Sequence, residues 1–434
     1  MALIVTTARK LIGHLALNVL LVVGLAQAAG AQTLTFSKER LGRIDQTFKS
    51  WTDSGKVAGV VGLVLQHGKV AYQGAYGWSD KEAGKKLTAD AMFRIASQSK
   101  AVTSVAIMML YEEGKIGLGD PVSRYMPTFA NSTVAVKADT GRVIVPAKRP
   151  ITIRDLLTHT AGISYGTDPQ VAPLYQAQGL GPAAGYGWYT ADKDEPICTT
   201  MDRLGSLPFV AQPGEKFVYG YNTDILGCIV ERVSGLPLDQ FFAQRIFGPV
   251  AMTDTYFFVP TEKAGRLAAV YRPGPTGALV KADEGARGQG HYIVGPRKSF
   301  AGGAGLVSTA RDYSRFLQML LNGGAIDGHR LLGPNTVKLM TTNMVGTLLS
   351  PDGQGFGLGF QTQDRFGAGN SPMSVGTFGW GGAYQTSYNV DPVQDLVIVM
   401  MTQNLPGVPV DMAGRYAALI YQALTPPAIP VVRH

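Results

Sequence analysis

The chain has 434 residues, 45% hydrophobic and 16% charged, with a net charge of +8. That composition supplies ample apolar material for a globular core and excludes a disordered or fibrous chain. The basic residues are scattered, with no run of them and no aromatic-basic stripe, so they read as a solvated surface and nucleic acid is not an expected partner.

The first segment stands apart from the rest. "MALIVTTARK" carries Arg9 and Lys10 with no acid, "LIGHLALNVLLVVGLAQA" is an apolar core, and small residues follow in "AAGAQT". This order predicts a secretory signal peptide over residues 1–31, cleaved near Ala31. The mature protein is then expected to be periplasmic or secreted, with no stable membrane span; an uncleaved anchor is the alternative. Export permits a disulfide between the only two cysteines, Cys198 and Cys228. Cys228 also lies on an apolar helical pattern, however, which suits a buried thiol equally well.

Next in chain order, Leu41, Ile44, Phe48 and Trp51 recur at helical spacing and predict an amphipathic helix. In "VAGVVGLVLQHGKVAYQGAYG" two β-rich runs flank His67-Gly68, the pattern of a short hairpin. "VTSVAIMMLYEEGKIG" is apolar nearly all round and reads as a buried helix. Helical patterns in "TIRDLLTHTAG" and "DILGCIVERVSG" then alternate with long loops. The longest runs from Ser164 to Glu195 and carries Tyr165, Tyr175, Tyr186, Trp188 and Tyr189, a composition that suggests an ordered pocket wall. "STARDYSRFLQMLLNGG" is an amphipathic helix stopped by Gly323-Gly324. Strands return from Ser374 to Gln403, and a last helix spans about Met412 to Leu424. Strands near both ends predict an α+β fold, an antiparallel sheet flanked by helices and built from residues 32–115 and 296–434, with a mostly helical domain at residues 116–295.

Chemistry concentrates at "RIASQSKAV", where Ser97 and Lys100 form a Ser-x-x-Lys at a helix entrance. Free backbone N–H groups there stabilise negative charge, and Lys100 lies one turn above Ser97 on the same face. Ser-x-x-Lys alone is a common match. Tyr219, just before a second helix, adds a candidate general base, and "GWGG" at Gly379 to Gly382 marks a strand open to close approach. That strand edge offers the Ala383 N–H as an oxyanion donor beside that of Ser97.

In combination, "FRIASQSKAVTSVAIMMLYEEGKIGLGDPVSRYMP", "ITIRDLLTHTAGI", "PGEKFVYGYNTDILGCIVERVSGLPL", "GGAGLVSTARDYSRF" and "GWGGAYQTSYNVDP" resemble the serine β-lactamase/penicillin-binding-protein superfamily. The likeness is nearest to class C β-lactamases and family VIII carboxylesterases. The resemblance implies a β-lactamase-like fold, Ser97 as acylated nucleophile, Lys100 as its base partner and Tyr219 as proton shuttle. It places Trp380-Gly381-Gly382 where the family has Lys-Thr-Gly, with Ala383 completing the oxyanion hole.

Two departures redirect the expected substrate. The family's Tyr-x-Asn reads here as Tyr219-Gly220-Tyr221, with Asn222 one place late, and Trp380 replaces the cation that holds a β-lactam carboxylate. Loss of that charge-assisted contact forfeits roughly 1.5–3 kcal/mol of binding. The expectation is an exported serine hydrolase acting on small-molecule esters without metal or cofactor, with Trp380, Gly381, Gly382, Tyr221 and Asn222 lining the substrate site. A β-lactamase, a D-amino-acid peptidase or amidase, and an acyltransferase are the alternatives on the same site, and a non-catalytic peptidoglycan-binding relative is the alternative of another class. "GISYG", Gly162 to Gly166, fits a Gly-x-Ser-x-Gly elbow around Ser164, but the strand-turn-helix setting that an elbow needs is missing. His159 in "LLTHTAG" reads as a structural hydrogen-bonding residue.

Overall fold

The computed structural model describes residues 35–139, 141–182, 188–283, 290–407 and 411–425. The expected signal segment and Tyr186 lie outside the described residues. Among those described, no helix is long and apolar enough to cross a membrane.

An antiparallel sheet of eight strands organises the fold. In chain order these are β1 (Gly59–Gln66), β2 (Lys69–Asp80), β3 (Lys85–Lys86), β4 (Gln354–Phe356), β5 (Gln361–Gln363), β6 (Phe378–Gly381), β7 (Ser387–Asp391) and β8 (Leu396–Thr402). The spatial order is β4-β5-β6-β7-β8-β1-β2-β3, so strands from the two ends of the chain meet at the centre. There β8 pairs with β1 in the register Val399 to Leu63 and Val397 to Leu65. The expected hairpin forms across His67-Gly68, where both residues have positive φ.

Strand periodicity explains why β1 and β8 are apolar throughout. Val61, Leu63, Val397 and Val399 face one core, while Val60, Val64, Ile398 and Met400 face the other. A strand buried on both faces has no polar side to alternate with. The outer core is closed by helix α1 (Lys38–Asp53), through the expected Leu41, Ile44, Phe48 and Trp51. The last helix of the chain, Met412–Tyr421, completes it with Met412, Tyr416 and Ile420. The inner core takes α2 (Ser99–Glu112), buried nearly all round, and the amphipathic helix Ala310–Leu321.

Between the two chain ends lie short helices and long connections. Helix α3 (Ile153–Leu157) starts at a capping box made by Thr152 and Asp155. Helices α4 (Ile197–Gly205) and α5 (Asn222–Ser234) lie side by side, joined by a Cys198–Cys228 disulfide. Cys228 is fully buried, as its helical pattern requires, but it is not a free thiol. The long loop contains a short helix, Ala172–Ala177, that turns Tyr175 into the core.

The turn that carries Ser97 is built under strain. Strand Phe93–Arg94 pairs with Val307–Ser308, then the chain makes one 3-10 turn, Ala96–Gln98, that runs into α2. Ala96 is fully buried and has φ 43°, in the left-handed region. That conformation costs a residue with a Cβ about 1–2 kcal/mol, which the surrounding packing must offset.

Two outcomes are expected. Reducing the disulfide, whose cysteines are 30 residues apart in sequence, should lower unfolding free energy by about 3–4 kcal/mol in denaturant titrations. Ala96→Gly should fold and keep its activity within a few-fold, whereas Ala96→Val should lower the melting temperature and activity together, because a branched side chain fits neither the φ nor the space.

Candidate active site

Ser97 is partly exposed, and Lys100, one turn deeper, is only 2% exposed. The Lys100 amine donates to Ser97 Oγ at 3.3 Å, to Tyr165 Oη at 2.9 Å and to the Gly303 carbonyl at 2.7 Å. All three N–H bonds of an ammonium therefore have acceptors. Burying such an ion costs several kcal/mol, and hydrogen bonds of roughly 1.5–3 kcal/mol each offset it.

Tyr219 reaches this cluster because the chain before α5 packs against the loop that follows α3. A Cβ on Gly220 would come within 2.6 Å of Ser164 Cα, so only glycine lets the two segments touch. The Lys100 nitrogen lies 4.7 Å from the centre of the Tyr219 ring, a cation–π arrangement. Trp380, on β6, donates its indole N–H to Tyr219 Oη at 3.0 Å. An N–H aimed at that oxygen favours negative charge on it. Sequence reasoning read Trp380 as a substrate contact and missed this bond, which joins residues far apart in the chain.

His159 supports Tyr219 from below, with ring centres 4.7 Å apart. Its Nδ1 faces Asn222 Nδ2 at 2.9 Å and accepts from it. Burial, with the Lys100 charge nearby, holds the His159 imidazole well below its ordinary value and therefore neutral.

The end of β6 approaches the Ser97 turn closely. A Cβ on Gly382 would run into the Ile95 carbonyl oxygen and Thr386 Oγ1, so the glycine admits the β6–β7 turn beside Ser97. Ala383 follows in that turn, partly exposed, and among the described residues its N–H meets no acceptor.

Two expected substrate contacts need correction. Tyr221 is fully buried, and its hydroxyl accepts from the Gly181 N–H at 2.8 Å. Asn222 is equally buried and donates to His159, Ile163 and Val218. Both hold the loops together, because the first turn of α5 points inward. The decoy Ser164 is buried, and its hydroxyl accepts from the Gly166 N–H at 3.1 Å, tied into its own loop.

Tyr165, expected only as pocket wall, bonds Lys100 directly. Burial, reinforced by the neighbouring Tyr219 and Asp224, pushes its phenol well above the ordinary value, so it stays neutral. From Tyr165 an aromatic wall continues through Tyr189, Trp188 and Tyr384, with successive ring centres 5.4, 5.4 and 6.1 Å apart. Asp224 and Gly303 escaped the sequence reading altogether. The one signal for Asp224 was an acid two residues into a helix, followed by the uncharged run Ile225 to Val230.

Comparison with known proteins identifies the family. The beta-lactamase family pattern matches residues 44–422. The chain is 37% identical over 393 residues to protein Rv1367c of Mycobacterium tuberculosis, covering 84% of this chain and 90% of that one. It is 29% identical over 375 residues to esterase EstB of Burkholderia gladioli, covering 83% and 89%. Its fold matches EstCE1, described as a hydrolase with promiscuous acyltransferase activity, with a TM-score of 0.74, 28% identity and coverage of 89% and 98%. The chain belongs to the beta-lactamase family and is a serine hydrolase within it.

Proposed function

We propose that the protein is an exported hydrolase of carboxylic esters that works through an acyl-enzyme on Ser97. The observation that carries the ester reading is Trp380, whose polar atom is already donated to Tyr219. From Gly379 to Asn389 the strand and turn beside Ser97 hold no charged residue to grip an anionic substrate group. A neutral acyl or alcohol portion fits the surrounding rings of Tyr165, Trp188, Tyr189 and Trp380.

In this mechanism Ser97 Oγ attacks the ester carbonyl, and its proton passes to the Tyr219 oxygen, which must enter the step as phenolate to accept it. The N–H groups of Ser97 and Ala383 hold the oxyanion. The C–O bond to the alcohol breaks as Tyr219 returns the proton to the leaving oxygen. Water then repeats the sequence on the acyl-enzyme and releases the acid. Lys100 keeps Ser97 and Tyr165 in register and places positive charge under Tyr219.

Export is supported by the leader-like first segment together with the disulfide, since such bonds persist in oxidising compartments. Transfer of the acyl group to an alcohol is a second reading, favoured by the likeness to EstCE1.

The test is a panel of p-nitrophenyl esters, a chromogenic cephalosporin and a D-amino-acid anilide, with and without added alcohol, on wild type and Ser97→Ala. Ester hydrolysis should dominate and fall at least about 10³-fold in the variant. Full ester activity in Ser97→Ala, or cephalosporin turnover above ester turnover, overturns the reading. Trp380→Phe, which keeps a ring but removes the N–H, should lower kcat roughly 10- to 100-fold while KM changes less than about threefold.

A further inference from the structure

Asp224 is a charged residue with no evident reason to be where it is. It lies in the first turn of α5, 1% exposed, and among the described residues it forms no ion pair. Its Oδ1 accepts from the Gly303 N–H at 3.1 Å and from Thr190 Oγ1 at 3.3 Å. The carbonyl of the same Gly303 accepts from Lys100 at 2.7 Å. One residue thus takes a proton donor of Lys100 on its C=O and offers its N–H to Asp224. Only glycine suits this place, because a Cβ on Gly303 would lie 2.6 Å from Asp224 Oδ2.

Burying an unpaired carboxylate is expensive, and a structural hydrogen-bond acceptor could have been an asparagine at far lower cost. What an asparagine cannot provide is negative charge beside Lys100. We infer that Asp224 is a positioning residue for the reaction: across Gly303 it supplies the buried negative charge that holds the Lys100 amine in place between Ser97, Tyr165 and Tyr219. This inference rests on the reading of Ser97 as the nucleophile.

The electrostatics give it a distinct pH signature. Burial pushes the Asp224 carboxyl up to about 6, and the Lys100 charge pulls against that rise. The other titratable groups that face it are Lys100 from α2, Tyr165 from the long loop and Tyr221 from its own turn. Burial raises both phenols far above neutrality, and His159, on the far side of Tyr219, is held neutral well below its ordinary value. A titration near pH 6 in this cluster therefore belongs to Asp224. Below it the carboxyl is neutral and Lys100 loses its counter-charge. The same raised value fixes the stability effect: the folded state binds the extra proton between the ordinary carboxyl value and about 6, so stability falls across that window as pH rises. Above it the cost of the buried charge is fully present, and removing the charge relieves it.

The experiment follows the rate of Ser97 labelling by a p-nitrophenyl phosphonate between pH 4.5 and 9, on the full chain, alongside thermal melting. Wild type should show an acid limb with its midpoint near pH 6. Asp224→Asn should label about tenfold or more slowly at pH 8 and lose that limb, yet melt no lower than wild type. Gly303→Ala, whose methyl presses on the carboxylate, should shift the limb and slow labelling, and it carries the same expectation if Asp224→Asn does not fold. An unchanged limb and rate in Asp224→Asn overturns the proposal, as does a slower rate explained by a lower melting point. Failure of wild type to label, or equal labelling of Ser97→Ala, sinks the nucleophile assignment instead, and the role of Asp224 with it.

Discussion

The pairing of Gly59–Gln66 with Leu396–Thr402 is the contact on which the molecule depends. It joins segments from opposite ends of the chain, so its formation closes a very long loop. The entropy of that closure grows only slowly with length, while each apolar residue of the two strands finds a core on its own face. The inner face then seats α2, and with it Ser97 and Lys100. Two strands along from β8, β6 brings Trp380 and the turn at Gly382 and Ala383 to the same place. A central pairing that contains none of these residues therefore sets the distance between Ser97 and the turn at Gly382 and Ala383.

Around Ser97 the physical problem is how to keep positive charge where water is scarce. Lys100 is enclosed, and every contact it makes is to an oxygen atom or to the face of a ring. Two phenols lie close to it but in unlike settings. Tyr165 accepts from the amine and stays neutral, whereas Tyr219 receives an indole N–H and offers the amine its ring. Fixed dipoles of this kind need no rearrangement during reaction, which is where preorganised sites gain their advantage over water.

Much of the fold could be read directly from residue spacing. The face of α1, the His67-Gly68 hairpin and the helix at Ala310–Leu321 each declare themselves within one stretch of chain, since their periodicity reflects a single neighbouring surface. Ser97, Lys100 and Tyr219 were legible through a motif and a resemblance. The placement of Tyr165, Asp224 and Gly303 around Lys100 was not, because each depends on where a loop of irregular path returns. Tyr221 and Asn222 misled for the same reason: position next to Tyr219 says nothing about which side faces the pocket. The cysteine pair stayed open until the packing of α4 on α5 brought the sulfurs together.

The sheet also ends in short strands. Its outermost strands are β3, two residues long, and β4, three residues long. Unpaired backbone at a sheet edge is a template for a neighbouring chain, and short strands offer little of it. At β3 the two residues are Lys85 and Lys86, both exposed, so a second copy approaching that edge meets like charge as well. Growth of the sheet from one molecule into the next is thereby discouraged at both rims, and the apolar strands at its centre remain out of a neighbour's reach.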